Sequence, residues 1–324
     1  MEKYILLYGD KKPEDNISIT NMFKNTKQIN LGWTDFDYNH NMRIINEAIK
    51  KGVKQIVFSG LEIGWDKLIE EIKQNQEEIK IKVICTTSDS LLYYEYERNN
   101  FFRLLELSKE KKVNDIAFFR KGQYEAYKNL GYKCSFLMEN YCLQEENRLE
   151  VKIEKKEELN IGIYPLNYTW DKNIFNQLCI GKMIENSKIC YNPLNPRMKE
   201  FLDTMKIENE ENKISKIEEK EIIKKIIKND INVSCSFTEY MHPIFFISME
   251  LGIPCIIGNN SDLFEKDEEL KLYIVTESED NPIINADIIK NVLIKKEEVM
   301  RQYQIWKKKY NQKAKENIEE FLGK

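Results

Sequence analysis

Short apolar runs alternate with helical patterns along the first half of the chain. The runs Tyr4–Leu7, Gln28–Leu31, Gln55–Ser59, Lys80–Cys85, Asp115–Phe119 and Cys134–Met138 have the length of buried strands. Between them, Asn41–Lys51, Asp66–Gln74, Tyr94–Glu110 and Gln123–Leu130 space their apolar residues as helices do. This alternation implies a parallel sheet with helices on both faces. The charged stretch Gln144–Glu158, QEENRLEVKIEKKEE, interrupts it and reads either as a linker or as a solvated hairpin or helix face. The alternation then restarts with a strand at Leu159–Tyr164, a helix at Asn173–Glu185, a strand at Lys188–Tyr191 and helices at Pro196–Met205 and Glu218–Asn229. Leu272–Thr276 reads as the last strand. From Asn285 onward the pattern is one long charged helix carrying Tyr303, Trp306 and Tyr310. Two tandem sheets followed by a helix predict two facing α/β domains, with a ligand in the cleft between them.

The segment Asn232–Gly258, NVSCSFTEYMHPIFFISMELGIPCIIG, is the most informative. It reads as a buried strand, a loop holding Glu239, a helix opening at Pro243, a stop at Gly252 and a second buried strand. The loop falls at the carboxyl end of the first strand, where such sheets bind ligands. A helix N-terminus there offers free N–H groups and a favourable dipole to a phosphate. A carboxylate beside a phosphate suits the hydroxyls of whatever the phosphate carries.

Composition narrows the class. The chain has 324 residues, enough for two domains, and 42% of them are hydrophobic, enough for two cores. Lys and Arg number 50 against 54 Asp and Glu, which argues against a nucleic-acid footprint. The seven cysteines form no CxxC pair and lie mostly in apolar patterns, which points to a reducing cytoplasm. No signal peptide or membrane span is predicted.

The second half resembles the nucleotide-sugar domain of GT-B glycosyltransferases, above all the retaining group with a Glu-x7-Glu motif. Three pieces carry the resemblance: IGIYPLNYTWDKN (161–173), SFTEYMHP around Glu239, and MELGIPCIIGNNSDLF (249–264). The first half matches only in its alternation. The resemblance implies two facing Rossmann-like domains: an acceptor-side domain over 1–147, a nucleotide-sugar domain over 148–300, and a C-terminal helix over 301–324 packing back on the first domain. It implies sugar transfer from a nucleotide-diphosphate donor to a glycan, lipid-linked or protein acceptor, with retention and without a metal. No cofactor is expected, since the donor is a substrate. Glu239 matches the motif's first glutamate and would orient the sugar. Lys172 would neutralise the diphosphate. The position eight residues after Glu239 is Ile247, where the group has its second, ribose-binding glutamate. Glu250, three residues further along the same helix, is the candidate substitute. A second departure is the turn after the first strand, where YGDKKPEDN supplies one glycine, Gly9.

Around this core, Asn173 would donate to the phosphate or cap a helix. His242 would contact the diphosphate or sugar, and Tyr240, Met241 and Ile244 would offer backbone N–H groups beside Pro243. Tyr191 would sit near the base. In the first half Asp37, His40 and Gly60 mark the acceptor side. Asp35-Phe36-Asp37 also spells a DxD motif, but away from the nucleotide signals, where an ordinary loop is the better reading. The final helix has no one-sided charge; it braces the first domain or touches a membrane surface peripherally. The rival expectations are a non-catalytic binding subunit of this shape and a nucleotide-sugar epimerase.

Overall fold

The apolar runs become parallel strands, and the helices between them bury one stripe each. The structure, a computed structural model, describes all residues except 1–3, 10–12, 33–34, 144–157, 215–217, 240, 261, 266–267 and 324, and the side chains of 13–15. The charged stretch from Gln144 lies outside the described residues up to position 157. Two units are present: Met1–Asn140 with Lys313–Lys324, and Tyr141–Gln312.

The first unit contains β1 (Tyr4–Tyr8), α1 (Pro13–Met22), β2 (Lys27–Asn30), α2 (Tyr38–Lys50), β3 (Gln55–Ser59), α3 (Trp65–Asn75), β4 (Lys80–Cys85), α4 (Glu95–Lys109), β5 (Asp115–Phe118), α5 (Lys121–Asn129) and β6 (Cys134–Phe136). Its six-stranded sheet runs β2-β1-β3-β4-β5-β6, and every neighbouring pair is parallel. α3 shows why these residues form helices: Trp65, Leu68, Ile69 and Ile72 recur at helical spacing and are all buried. Trp65 packs on Phe58 of β3, with ring centroids 5.8 Å apart. α1 escaped the sequence reading because PEDNISITNM has no clear apolar stripe.

The second unit contains β7 (Leu159–Ile163), α6 (Ile174–Leu178), α7 (Ile180–Met183), β8 (Ser187–Tyr191), α8 (Pro196–Thr204), β9 (Asn209–Glu211), α9 (Glu219–Ile226), β10 (Ile231–Ser234), α10 (Pro243–Glu250), β11 (Cys255–Gly258), α11 (Glu269–Ile274), β12 (Val275–Thr276), α12 (Pro282–Ile294) and α13 (Lys296–Leu322). Residues 313–322 of α13 group with the first unit. The second sheet runs β12-β11-β10-β7-β8-β9, again all parallel.

Three expectations are corrected. The helix expected over Asn173–Glu185 is a 3-10 turn at Trp170–Lys172 followed by the two short helices α6 and α7. The strand expected over Leu272–Thr276 is mostly α11. Leu270 and Ile274 are buried while Leu272 between them is exposed, so helical spacing overrides the β-branched composition. The single long helix expected from Asn285 is two helices. The first starts at Pro282, where the Asn281 side chain accepts from the N–H groups of Ile283 and Ile284. It ends where Lys295 leaves helical geometry.

α13 serves both units. In the second, Tyr303, Trp306 and Tyr310 pack on Phe245 and Phe246 of the buried helix α10. In the first, Asn317 closes the free edge of β6: its Nδ2 donates to the Phe136 carbonyl at 2.8 Å and its Oδ1 accepts from the Met138 N–H at 2.7 Å. One side chain thus replaces a missing strand. Asn317→Ala is expected to cost about 1–2 kcal/mol by urea unfolding, because it orphans one donor and one acceptor.

In each sheet the strand order reverses once, between β1 and β3 and between β7 and β10. Ligands of open α/β sheets bind outside the carboxyl ends of the strands at such switch points. Among the described residues, no helix is long and apolar enough to cross a membrane.

Candidate functional site

Lys172 follows β7 and Glu239 follows β10, the two strands that flank the switch point. The structure brings them into contact. Lys172 Nζ lies 2.8 and 3.0 Å from the two oxygens of Glu239. The Asp171 carboxylate is 3.9 Å from the same nitrogen, and Ser236 Oγ donates to Glu239 at 3.2 Å. The side chains of Lys172 and Glu239 are 13% and 14% exposed, so the pair is accessible but poorly screened.

The surrounding loops are braced by buried amides. Asn173 adopts a left-handed conformation (φ 52°), which asparagine tolerates better than most residues. Its Nδ2 donates to the carbonyls of Cys235 (3.0 Å) and Glu279 (2.6 Å). Of the two roles expected of Asn173, it takes the N-cap position of α6, though without a side-chain capping bond, and its amide, holding the loops, has no N–H left for a phosphate. Gln177 donates to the Lys172 carbonyl at 2.7 Å and accepts from the Cys235 N–H at 3.1 Å. The Phe237 N–H donates to the Asp171 carbonyl at 2.7 Å. Asn260 reaches the Ser236 carbonyl from beyond β11, and Glu279 accepts from the Asn259 N–H at 2.9 Å. Gln177, Ser236, Asn260 and Glu279 were not singled out from the sequence. Only Ser236, three residues before Glu239, carried a local signal.

Met241, His242, Pro243 and Ile244 are buried at the start of α10, with His242 as the N-cap and Pro243 in the first turn. The first N–H groups of such a helix have no intrahelical partner. Tyr240 lies outside the described residues. Tyr191 is fully buried at the end of β8, and burial raises its phenol pKa.

The structure takes Glu250 elsewhere. It stands at the far end of the eight-residue α10, where its carboxylate accepts from Tyr303 at 2.5 Å and pairs with Lys307. Burial and this carboxylate together push the Tyr303 hydroxyl well above its ordinary pKa. Glu250 therefore ties α10 to α13 and is not gathered with Lys172 and Glu239. Ile247 is wholly buried. Glu250→Ala is expected to lower stability by about 2–3 kcal/mol, the cost of leaving a half-buried cation and a buried hydroxyl without their partner. Urea unfolding reads that loss.

In the first unit Asp37 caps α2 by accepting from the His40 N–H at 2.9 Å, and the exposed His40 ring lies 3.2 Å from Arg43. The Asp37 carboxylate is thus engaged as a helix cap. Gly60 ends β3 with φ +84°, and a Cβ there would meet Thr86 Oγ1 at 2.8 Å. It lines a recess with Glu62, Thr86 and Tyr96 of about 20 Å³, room for one water. Among the described residues, no group of three or more His, Cys, Asp or Glu side chains is gathered as metal ligands.

No protein-family profile matches the chain, and no curated protein matches its sequence. Its fold does match solved structures over nearly their whole length. The UDP-forming α,α-trehalose-phosphate synthase from Burkholderia xenovorans superposes with a TM-score of 0.62 at 8% identity, covering 100% of this chain and 98% of that one. HepE from Anabaena, solved with UDP and glucose, gives 0.65 at 9% identity, covering 98% and 99%. Sucrose-phosphate synthase from Thermosynechococcus elongatus gives 0.58 at 11% identity, covering 98% and 94%. The two tandem Rossmann-like units are therefore those of the GT-B fold.

Proposed function

We propose that the chain is a GT-B glycosyltransferase that moves a sugar from a nucleotide-diphosphate donor to a glycan, lipid-linked or protein acceptor. The observation that carries this reading is the Lys172–Glu239 pair at the switch point of the second sheet. The fold shared with the sugar-phosphate synthases, and with a protein solved with UDP and glucose, supports it.

The chemistry follows from the pair. Without ligand, each charge compensates the other. A nucleotide diphosphate-sugar carries an anion for Lys172 and hydroxyls for Glu239, so one ligand takes over both halves. Lys172 then neutralises charge developing on the departing diphosphate. The N–H groups opening α10 add a dipole of the same sense. Glu239 fixes the sugar by accepting from its hydroxyls. In this reading the diphosphate charge is met by the protein without a metal, transfer retains configuration, and the acceptor binds on the first unit. The free, mostly buried thiols suit work in the cytoplasm.

A second reading, a binding subunit without turnover, is favoured by one observation. Ile247 replaces the expected carboxylate and Glu250 is held by Tyr303 and Lys307. A thermal-shift panel of UDP-, GDP-, CMP- and dTDP-sugars followed by a donor-hydrolysis assay separates the two. Binding shifts the melting point by mass action. Binding with hydrolysis supports the transferase, binding without turnover supports the subunit, and no binding defeats both.

A further inference from the structure

The loops that hold Lys172 and Glu239 also carry an exposed aromatic surface. Trp170 is 53% exposed and Phe237 is 39% exposed. Their ring centroids are 6.2 Å apart and their planes tilt by 32°. Tyr168 and Phe175, from the same stretch of chain, are exposed beside each other at 6.4 Å. Among the described residues, the other exposed large aromatics are Tyr93 and Phe102, both in the first unit. Side chains of this size are normally spent on a core, as Trp65 and Trp306 are here.

This surface is anchored to the ion pair. Trp170 precedes Lys172 by two residues, and Phe237 precedes Glu239 by two. The bond from the Phe237 N–H to the Asp171 carbonyl clamps the two segments together between those positions. The rings and the charges are thus carried by one cross-linked piece of backbone.

We propose that Trp170 and Phe237 form a platform for the face of a hexopyranose ring, beside the carboxylate that takes its hydroxyls. A pyranose presents C–H bonds on its faces and hydroxyls around its rim. The negative face of an aromatic ring suits the former, and a carboxylate acceptor suits the latter. A membrane surface is the other occupant that exposed Trp and Phe suit, but binding anionic lipid calls for basic residues nearby. The neighbours here are Thr169, Asp171, Ser236 and Thr238, and the one lysine is compensated by Glu239. That setting favours an uncharged polyhydroxyl ligand. The proposal rests on the transferase reading, and the ring is the sugar of the donor, whose hydroxyls Glu239 takes in that reading.

The test uses the full chain and its Trp170→Ala and Trp170→Phe variants, with intrinsic tryptophan fluorescence read on the full chain and isothermal calorimetry on all three. Trp65 and Trp306 are buried, so Trp170 is the reporter open to solvent among the described tryptophans. The probes are UDP, GDP, UDP-glucose, GDP-mannose, the disaccharides cellobiose and maltose, and phosphatidylglycerol vesicles. At least one sugar-bearing probe is expected to change the emission. Trp170→Ala is expected to weaken that probe about tenfold, the scale of one lost aromatic face, with Trp170→Phe keeping most of the affinity. The free nucleotide is expected to bind all three proteins alike. An effect on the nucleotide sugars supports the platform, and an effect on the disaccharides alone places the rings on a separate glycan site and overturns it. Nucleotide binding with every sugar indifferent to Trp170 overturns the platform and leaves the transferase reading standing. No binding of any nucleotide or sugar overturns both. A response to vesicles and not to sugars assigns the surface to a membrane and overturns the proposal.

Discussion

Replacing Glu239 or Lys172 by alanine is expected to lower sugar transfer by about a hundred- to a thousandfold, the usual cost of removing one group that stabilises charge in a transition state. The two losses are expected to differ in kind. In the proposed reaction Lys172→Ala removes the cation that meets the diphosphate, so affinity for the free nucleotide diphosphate should fall along with the rate. Glu239→Ala removes the acceptor proposed for the sugar hydroxyls, so the free nucleotide should still bind and even gain, because Lys172 is released from its partner 2.8 Å away. Isothermal calorimetry with the nucleotide, set beside a transfer assay, reads both quantities. Undiminished transfer in both variants would sink the assignment. Neither change should unfold the protein, because both side chains are partly exposed and Ser236 continues to face the site.

Gly162→Ala is expected to be the most damaging single methyl in the second unit. Gly162 of β7 pairs in register with Asn232 of β10. A Cβ built there would sit 2.0 Å from Asn232 Oδ1 and 2.1 Å from Asn229 Nδ2. Those amides belong to a buried chain of hydrogen bonds. Asn229 donates to Asn232 at 2.8 Å, Asn232 to Ser248 at 2.7 Å, and Ser248 to the Ile253 carbonyl at 2.8 Å. The chain joins the middle of the sheet to α10, so the methyl cannot be housed without orphaning buried polar groups. A loss of about 4 kcal/mol or more is expected in denaturant unfolding, at the extreme of what single substitutions do. Adding Asn232→Ala should recover part of the loss by vacating the space, which a double-mutant cycle measures. A Gly162→Ala protein of ordinary stability would refute the steric argument.

How much of this was legible in the sequence depended on whether the deciding contact was local. β3 and β4 were read at their observed ends, Gln55–Ser59 and Lys80–Cys85, because short β-branched, apolar-rich runs, Ile56–Phe58 and Ile81–Cys85, stand between helical patterns there. β9 was missed because Asn209-Glu210-Glu211 is polar throughout; it is an edge strand, paired with β8 alone. α11 was misread because Leu272–Thr276 favours strand locally, whereas burial of Leu270 and Ile274 decides for helix. At the site, strand ends and a likeness in motif singled out Lys172 and Glu239, 67 residues apart, and the structure places them in contact. Glu250 was the candidate substitute for the missing second glutamate because its spacing on α10 was visible, while its partners Tyr303 and Lys307 come from a helix some fifty residues later. For Asn173 the N-cap position was visible locally, but the carbonyls that consume its amide belong to Cys235 and Glu279, far along the chain.

The closure of β6 by Asn317 has a consequence for biosynthesis. The first unit's strands are complete by residue 136, yet the side chain that seals their open border is 181 positions downstream. At ordinary translation speeds the nascent chain waits roughly ten to thirty seconds for it. Throughout that interval a ready template for intermolecular strand addition is uncovered on the ribosome, so this chain should depend on holdase chaperones more than its balanced charge would suggest.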